Sequence, residues 1–485
     1  MRGTDASTWL IGHCRAAAVA IALCVWGTAA VAQAANPIQI ENAKPGDWDW
    51  YLDGAVARNG EIEGYANQPS YQPGWTVNFM ISTTAPQYKL TIYRVGWYGG
   101  VGGRRMTDPV IRNGVKQRTP TPDPETGLVD ANWELSYRFV IPSDWTSGYY
   151  LAKLETIPDG LQQYIVFVVR NDSYPSTYLV QSPVNTWQAY NAWGGKSLYG
   201  WNSTDGVPAY KVSICRPYAD GDGSGYLFAW EIHMVRFLER EGYDVTYGTN
   251  YELDDYNNAS LITPHKALLS IGHDEYWTHK LRKNVELARE KGVNLAFFGS
   301  NSVYWQIRYE PSPYRNLPRR TIVAYKYDAL TKDPYALDGD TTNDKYITTT
   351  WRSAPLNRPE DALVGTMYHG DPADGDVVVS NAAHWIYAGT GAKNGDRLKG
   401  LLGYETDAAT ATAPEGLQIV AHSPDPWGFS DMTVYTWPAS NATVFATGTL
   451  QFAWGLDNWW QGLESPVAQQ MTRNVLARFA ATNTP

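Results

Sequence analysis

The chain has 485 residues, 44% hydrophobic and 18% charged, a globular composition with room for more than one domain. Its net charge is −10 and it carries no lysine- or arginine-rich run, which argues against nucleic acid as a partner. With 21 Trp and 33 Tyr, many aromatics must belong to the core, and such richness also suits stacking on sugars or a pocket for small amphipathic ligands.

At the N-terminus, Arg2, His13 and Arg15 precede an apolar run over residues 16–30, followed by small residues at Ala30, Ala32 and Ala34. This pattern predicts a cleavable signal peptide over residues 1–34 and a periplasmic or secreted protein. Leu23 precedes Cys24 where a lipoprotein signal needs a small residue, so lipidation is disfavoured. No later stretch approaches 18 apolar residues, so no membrane span is expected. Cys14 and Cys24 lie in the leader, leaving Cys215 as a single thiol, read as buried and inert.

Residues 36–171 read as all-β. Runs at 76–82, 88–95, 134–141, 149–156 and 163–170 are rich in β-branched and aromatic residues and are spaced like the strands of an Ig-like β-sandwich. The glycine-dense stretch 96–105 reads as a turn packed against the next domain. From about residue 172 strands alternate with helices: strands at 177–181, 210–214, 244–248, 266–272 and 293–299, and helices at 227–241 and 278–291. That grammar predicts an α/β domain over residues 172–485 with a mostly parallel sheet and long insertions between 307 and 440. Ser465-Pro466 opens a last helix to about residue 480, cap then proline.

Within KALLSIGHDEYW (266–277), an apolar strand ends at Gly272 and is followed at once by His273, Asp274 and Glu275. In open α/β sheets this edge is where ligands bind; Asp274 also suits a helix cap. Three other segments fall at strand ends: 185–191, 216–223 and 299–301. The pattern brings Tyr190, Tyr218 and Glu275 to one edge as candidates. Two phenols and a carboxylate form an oxygen set suited to a hard cation, and phenolate is a good ligand for Fe(III). No Gly-x-Ser-x-Gly, His-Glu-x-x-His, Walker or paired-cysteine zinc motif occurs.

The stretches IEGYANQPSYQPG, YRVGWYGGVGGRR, NTWQAYNAWGGKSLY, RPYADGDGSG, LEREGYDVTY, GHDEYW, NLAFFGSNSVYWQIR and GLLGYE, spread over residues 62–405, resemble the N,N-dimethylformamidase large (beta) subunit family. The resemblance implies a sandwich followed by an α/β domain like class I glutamine amidotransferases. It further implies hydrolysis of a small amide at one Fe(III) held by two tyrosines and a glutamate. Carried onto this sequence, the ligands are Tyr190, Tyr218 (with Tyr199 as the alternative) and Glu275. Glu405 is the base for water and His273 its helper. A small accessory subunit or a homo-oligomer is the implied partner state. Two other functions stay open: an exported binding protein for carbohydrate or cell envelope, and a metal-free carbohydrate-active enzyme working through Asp274, Glu275 and Glu405.

Overall fold

A computed structural model describes residues 34–460 and 462–482. The predicted signal peptide lies outside them, but for its last residue. Residues 36–485 form one compact unit.

The N-terminal strands fall where the alternation put them: Thr76–Thr83, Gln87–Val95, Tyr137–Val140, Gly148–Ile157 and Gln162–Val169. They divide into unequal sheets. Ile62–Ala66, Thr76–Thr83 and Tyr137–Val140 make a three-stranded antiparallel sheet. The other sheet contains Gln87–Val95, Gly148–Ile157 and Gln162–Val169, and Ser70–Tyr71 joins its edge in parallel. Val77, Phe79, Ile92, Tyr150 and Phe167 fill the core between them.

At the centre of the chain a seven-stranded sheet begins as expected. Val245–Thr249, Tyr178–Ser182, Ala267–Ile271, Asn294–Phe298 and Thr443–Ala446 lie side by side in parallel. All five strands are buried along their length, which is why they read as apolar runs. Gly428–Thr436 then pairs antiparallel, and Gln418–Asp425 antiparallel to it in turn. A further sheet joins Lys211–Ser213, Thr321–Val323, Trp305–Glu310 and Tyr276–Thr278, and Met367–Val378 pairs with Arg397–Ala408 as a long hairpin.

This overturns the predicted fold class. The molecule is mostly β, in several sheets of mixed direction, and neither an Ig-like sandwich nor a glutamine-amidotransferase-like layered domain describes it. The N-terminal sheets do not divide as an Ig pair does, and one contains a parallel edge. Residues 307–440, expected mainly as insertions, instead supply two long hairpins, one of which extends the central sheet.

The helices keep their predicted positions with shifted ends. A π-helical turn, Leu227–Glu231, precedes Ile232–Arg240. His279–Glu290 is capped by Thr278, whose side chain accepts from the Leu281 amide, so Asp274 is not the cap. Pro466–Ala481 is capped by Ser465. Among the described residues no helix is long and apolar enough to cross a membrane.

One ion pair ties the first sheets to the helical face. Arg94, fully buried, donates to Glu239 at 2.7 and 2.9 Å, to the Ser147 carbonyl at 2.8 Å and to the Tyr98 hydroxyl at 3.1 Å. Arg94→Ala leaves the Glu239 carboxylate buried with, among the described residues, only the Tyr247 hydroxyl and Asn42 amide as side-chain donors. It is expected to cost about 3–5 kcal/mol, read as a lowered urea midpoint with the m-value unchanged.

Candidate active site

The Ala267–Ile271 strand ends at Gly272, whose φ is +71°, a conformation that suits glycine. A Cβ there would sit 2.4 Å from Glu231 Oε1, a side chain itself fully buried. Gly299, at the end of the neighbouring strand, approaches as closely: its Cβ would lie 2.1 Å from the Gly272 carbonyl oxygen. The two strand ends touch through backbone. Gly272→Ala is expected to lose about 1–3 kcal/mol, from the positive φ and the displaced Glu231, seen as a fall in melting temperature.

The turn delivers His273, Asp274 and Glu275, all buried. Asp274 points away from the cavity, accepting from Ser270 Oγ at 2.7 Å, Asn250 Nδ2 at 2.8 Å and the Gln181 amide. Burial raises its carboxyl to about 6 despite these donors. It braces the turn. The Glu275 amide donates to Thr186 Oγ1 at 3.0 Å, fixing the turn to the Val184–Tyr190 helix.

Glu275 meets Tyr199 directly, and Tyr190 packs on Tyr199. The Tyr199 hydroxyl lies 2.9 and 3.0 Å from its two carboxylate oxygens. Tyr190, last residue of its helix, stacks on Tyr199 with ring centroids 4.3 Å apart. Tyr276 donates to the Tyr199 hydroxyl at 2.7 Å, and Tyr226 packs 5.8 Å from Tyr190. Tyr199 itself lies in an irregular segment. Asn202 Nδ2 binds the Tyr190 carbonyl at 2.8 Å, and Ser203 Oγ the Tyr199 carbonyl at 2.7 Å.

Tyr218 is elsewhere. Its ring packs edge-on to Trp187, 6.0 Å away, beside Gln188 and Arg216. It shares no wall with the Glu275 cavity. The chain turns after the Lys211–Ser213 strand, and buried Arg216, bonded to the carbonyls of Gln188 and Asn191, holds the residues after it behind the site. Tyr190, Tyr199, Glu275, His273 and Glu405 are brought together; Tyr218 is not.

Glu405 comes from the Arg397–Ala408 strand, placed by Ser300 Oγ donating to its carbonyl at 2.7 Å. Glu405 Oε2 lies 3.0 Å from His273 Nε2, and Glu275 Oε2 lies 3.5 Å from the same nitrogen. The approach to Glu405 is close but poorly directed for a hydrogen bond, since both atoms are buried without a well-aligned partner among the described residues. Burial works against the imidazolium, but the surrounding carboxylates, Glu405 foremost, raise His273 to about 9. Glu275 is raised by burial and by Glu405, against the pull of His273 and Lys326. Burial, then the Glu275 charge, pushes the Tyr190 and Tyr199 phenols well above their ordinary range. Lys326, its Nζ 3.3 Å from the Tyr199 ring centroid, is lowered by burial to about 7. Cys215 is buried and free, its thiol raised to about 12 by burial, as expected of an inert group.

A cavity of about 370 Å³ opens on this group, bounded by Tyr190, Tyr199, Glu275, Glu405, Tyr304 and Lys326. A larger cleft of about 800 Å³, near Arg112, Lys116 and Trp133, gathers no comparable acid–base set. Among the described residues no three His, Cys, Asp or Glu side chains are grouped to hold a metal. The oxygen set at Glu275 draws on phenols instead.

The sequence matches the family described as N,N-dimethylformamidase beta subunit-like, C-terminal, over residues 89–465, so the chain belongs to that family. A curated relative, the N,N-dimethylformamidase beta subunit of an Alcaligenes species, is 23% identical over 227 residues. That alignment covers 39% of this chain and 29% of the relative, so the match spans under a third of the relative's length. An uncharacterized protein from Bacillus anthracis is 12% identical, covering 26% of this chain and 93% of its own, at a TM-score of 0.16. A β-glucuronidase from Bacteroides uniformis is 10% identical, covering 50% of this chain and 34% of its own, at 0.13. Scores this low define no shared fold.

Proposed function

We propose that the chain hydrolyses the C–N bond of an amide, with a mononuclear Fe(III) cofactor held by Tyr190, Tyr199 and Glu275. The observation that carries this is the meeting of two phenols and a carboxylate, with the Tyr199 hydroxyl 2.9 and 3.0 Å from the Glu275 oxygens, in a cavity that Glu405 also lines. Membership of a family named for an amide-cleaving enzyme gives the bond class.

The donor set fits the ion. It is all oxygen, as a hard cation requires. Burial and the neighbouring carboxylate disfavour charge on Glu275, and a cation among these oxygens relieves that penalty. When bound, Fe(III) polarises a carbonyl oxygen and makes a coordinated water more acidic.

The chain's own groups do the rest. Glu405 accepts the proton of the attacking water. His273, with Nε2 3.0 Å from Glu405, carries a proton toward the departing nitrogen. The water oxygen bonds to the carbonyl carbon, the C–N bond breaks, and the nitrogen leaves protonated. The tyrosines Tyr190, Tyr199 and Tyr304 wall the reacting centre against bulk water.

The signal pattern in residues 1–34 supports export, and an accessory subunit or self-association is compatible with the family. The test of function is amine release from formamide, acetamide and N,N-dimethylformamide by iron-loaded and chelator-treated protein, with metal content measured on the same samples. Protein that takes up no iron and releases no amine from any of them sinks the proposal. N-terminal sequencing of the exported protein checks the cleavage.

A further inference from the structure

The cavity continues past Glu275 and Glu405. Its lining includes the segment 324–328, with Tyr210 packed against it. Tyr210 and Tyr325 stack at 5.1 Å, and the Tyr210 hydroxyl donates to Asp328 at 2.6 Å. Tyr327 stands at the mouth, 78% exposed, yet held in place: its ring meets Trp305 edge-on at 4.8 Å and its hydroxyl lies 3.0 Å from that of Tyr304. Asp371 also lines the cavity, with one carboxylate oxygen accepting from Tyr368 at 2.5 Å.

We infer that this outer half binds a saccharide ring, so that the amide cleaved is that of an N-acylated amino sugar. The inference rests on the hydrolase proposal above and names its substrate class. Three observations carry it. First, a cavity of about 370 Å³ is in the size range that encloses ligands much larger than a dialkyl formamide. Second, an exposed aromatic held rigidly by aromatic neighbours offers a face for the C–H side of a pyranose at little cost in side-chain order. Third, Asp371 has one oxygen engaged by Tyr368, and Asp328 has one oxygen engaged by Tyr210 and by Lys332 at 3.3 Å; the other oxygen of each has no side-chain hydrogen bond among the described residues. Hydroxyl groups satisfy such acceptors. An aryl substituent covers them without a donor and incurs their desolvation penalty. A substituent bearing its own carboxylate, as in an N-acyl amino acid, faces four wall carboxylates, Asp328, Asp371, Glu275 and Glu405, against one wall cation, Lys326, and is disfavoured.

The reaction stays balanced: one water is consumed, its oxygen joins the acyl carbon, the C–N bond breaks, and the amino sugar leaves with the proton on nitrogen beside a carboxylate product.

The test is binding, measured without turnover. Purified protein is titrated with N-acetylglucosamine, acetanilide and N,N-dimethylformamide by saturation-transfer NMR and calorimetry, alongside Tyr327→Ala and, as a surface control, Trp48→Ala. Tyr327 and Trp48 are exposed, so neither change threatens the fold. Saturable binding of N-acetylglucosamine, weakened about fivefold in Tyr327→Ala and unaltered in Trp48→Ala, is the expected result. Acetanilide binding more tightly than the sugar, sugar binding indifferent to Tyr327, or no sugar binding overturns it. Turnover of a simple amide without sugar binding removes the substrate class and leaves the hydrolase standing. Tyr327-dependent sugar binding with no amide cleaved by iron-loaded protein removes the hydrolase and leaves the ligand class standing.

Discussion

Tyr199→Phe is expected to abolish stable iron binding and to lower amide turnover by at least about 100-fold, because the change removes one of three oxygens proposed to hold the ion. The phenol is the atom at stake: it lies 2.9 and 3.0 Å from the Glu275 oxygens and accepts a hydrogen bond from Tyr276 at 2.7 Å. Phenylalanine keeps the ring that stacks on Tyr190, so the packing survives and the loss reads out on the metal. The measurements are iron content and the visible tyrosinate-to-iron absorption band. Tyr218→Phe is the paired control, since that ring packs on Trp187 outside the cavity. If the band persists in Tyr199→Phe and vanishes in Tyr218→Phe, the ligand choice reverts to the tyrosine at the strand end.

Glu405→Gln is expected to separate chemistry from metal binding. Glutamine has nearly the same shape and keeps the carbonyl bonded to Ser300 Oγ, so the hairpin stays in place. It cannot take a proton from water. Turnover should fall by about 10²–10⁴, the usual worth of a positioned general base, with iron content unchanged and KM moving far less than kcat. A variant that keeps full turnover excludes Glu405 as the base. One that loses iron in parallel with activity makes it a support for the ligands instead.

The sequence made some of this legible for plain reasons. KALLSIGHDEYW resolved into strand, turn and polar triplet because a strand buried on both faces leaves an unbroken apolar run, and Gly272 marks where it stops. The helix from His279 showed through its 3.6-residue period, although its cap proved to be Thr278. Tyr199 was harder to rank above Tyr218. Its segment has no period, and its place is set by side-chain bonds from Asn202 and Ser203 to backbone carbonyls, which leave no trace in hydrophobic spacing. Tyr218 looked better because it comes after a strand, but that strand, Lys211–Ser213, pairs antiparallel with Thr321–Val323 in a separate sheet, so its end does not join the parallel edge. Lys326, Tyr304 and Asp371 went unnoticed, since they reach the cavity from a helical turn, a loop and an irregular long strand with no apolar period. The fold class failed both in the N-terminal sheets, which do not divide as an Ig pair, and over residues 307–440. There Met367–Val378 contains two glycines, a proline and three aspartates, a composition that reads as loop, yet it pairs with Arg397–Ala408 through several register shifts.

The contact between Gly272 and Gly299 has a mechanical consequence. With the Gly272 carbonyl where a Gly299 side chain would be, the turn carrying His273 and Glu275 and the turn carrying Ser300 and Asn301 have no slack between them. Ser300 extends the same tie to Glu405. A side chain at either glycine would push these two turns apart, so the spacing of His273, Glu275 and Glu405 depends on both positions staying glycine. Tyr327 and Asp328, at the outer wall, are exposed and held by side-chain contacts rather than by touching backbone. Exchange of side chains there offers relatives a way to change what enters while the reacting centre keeps its spacing.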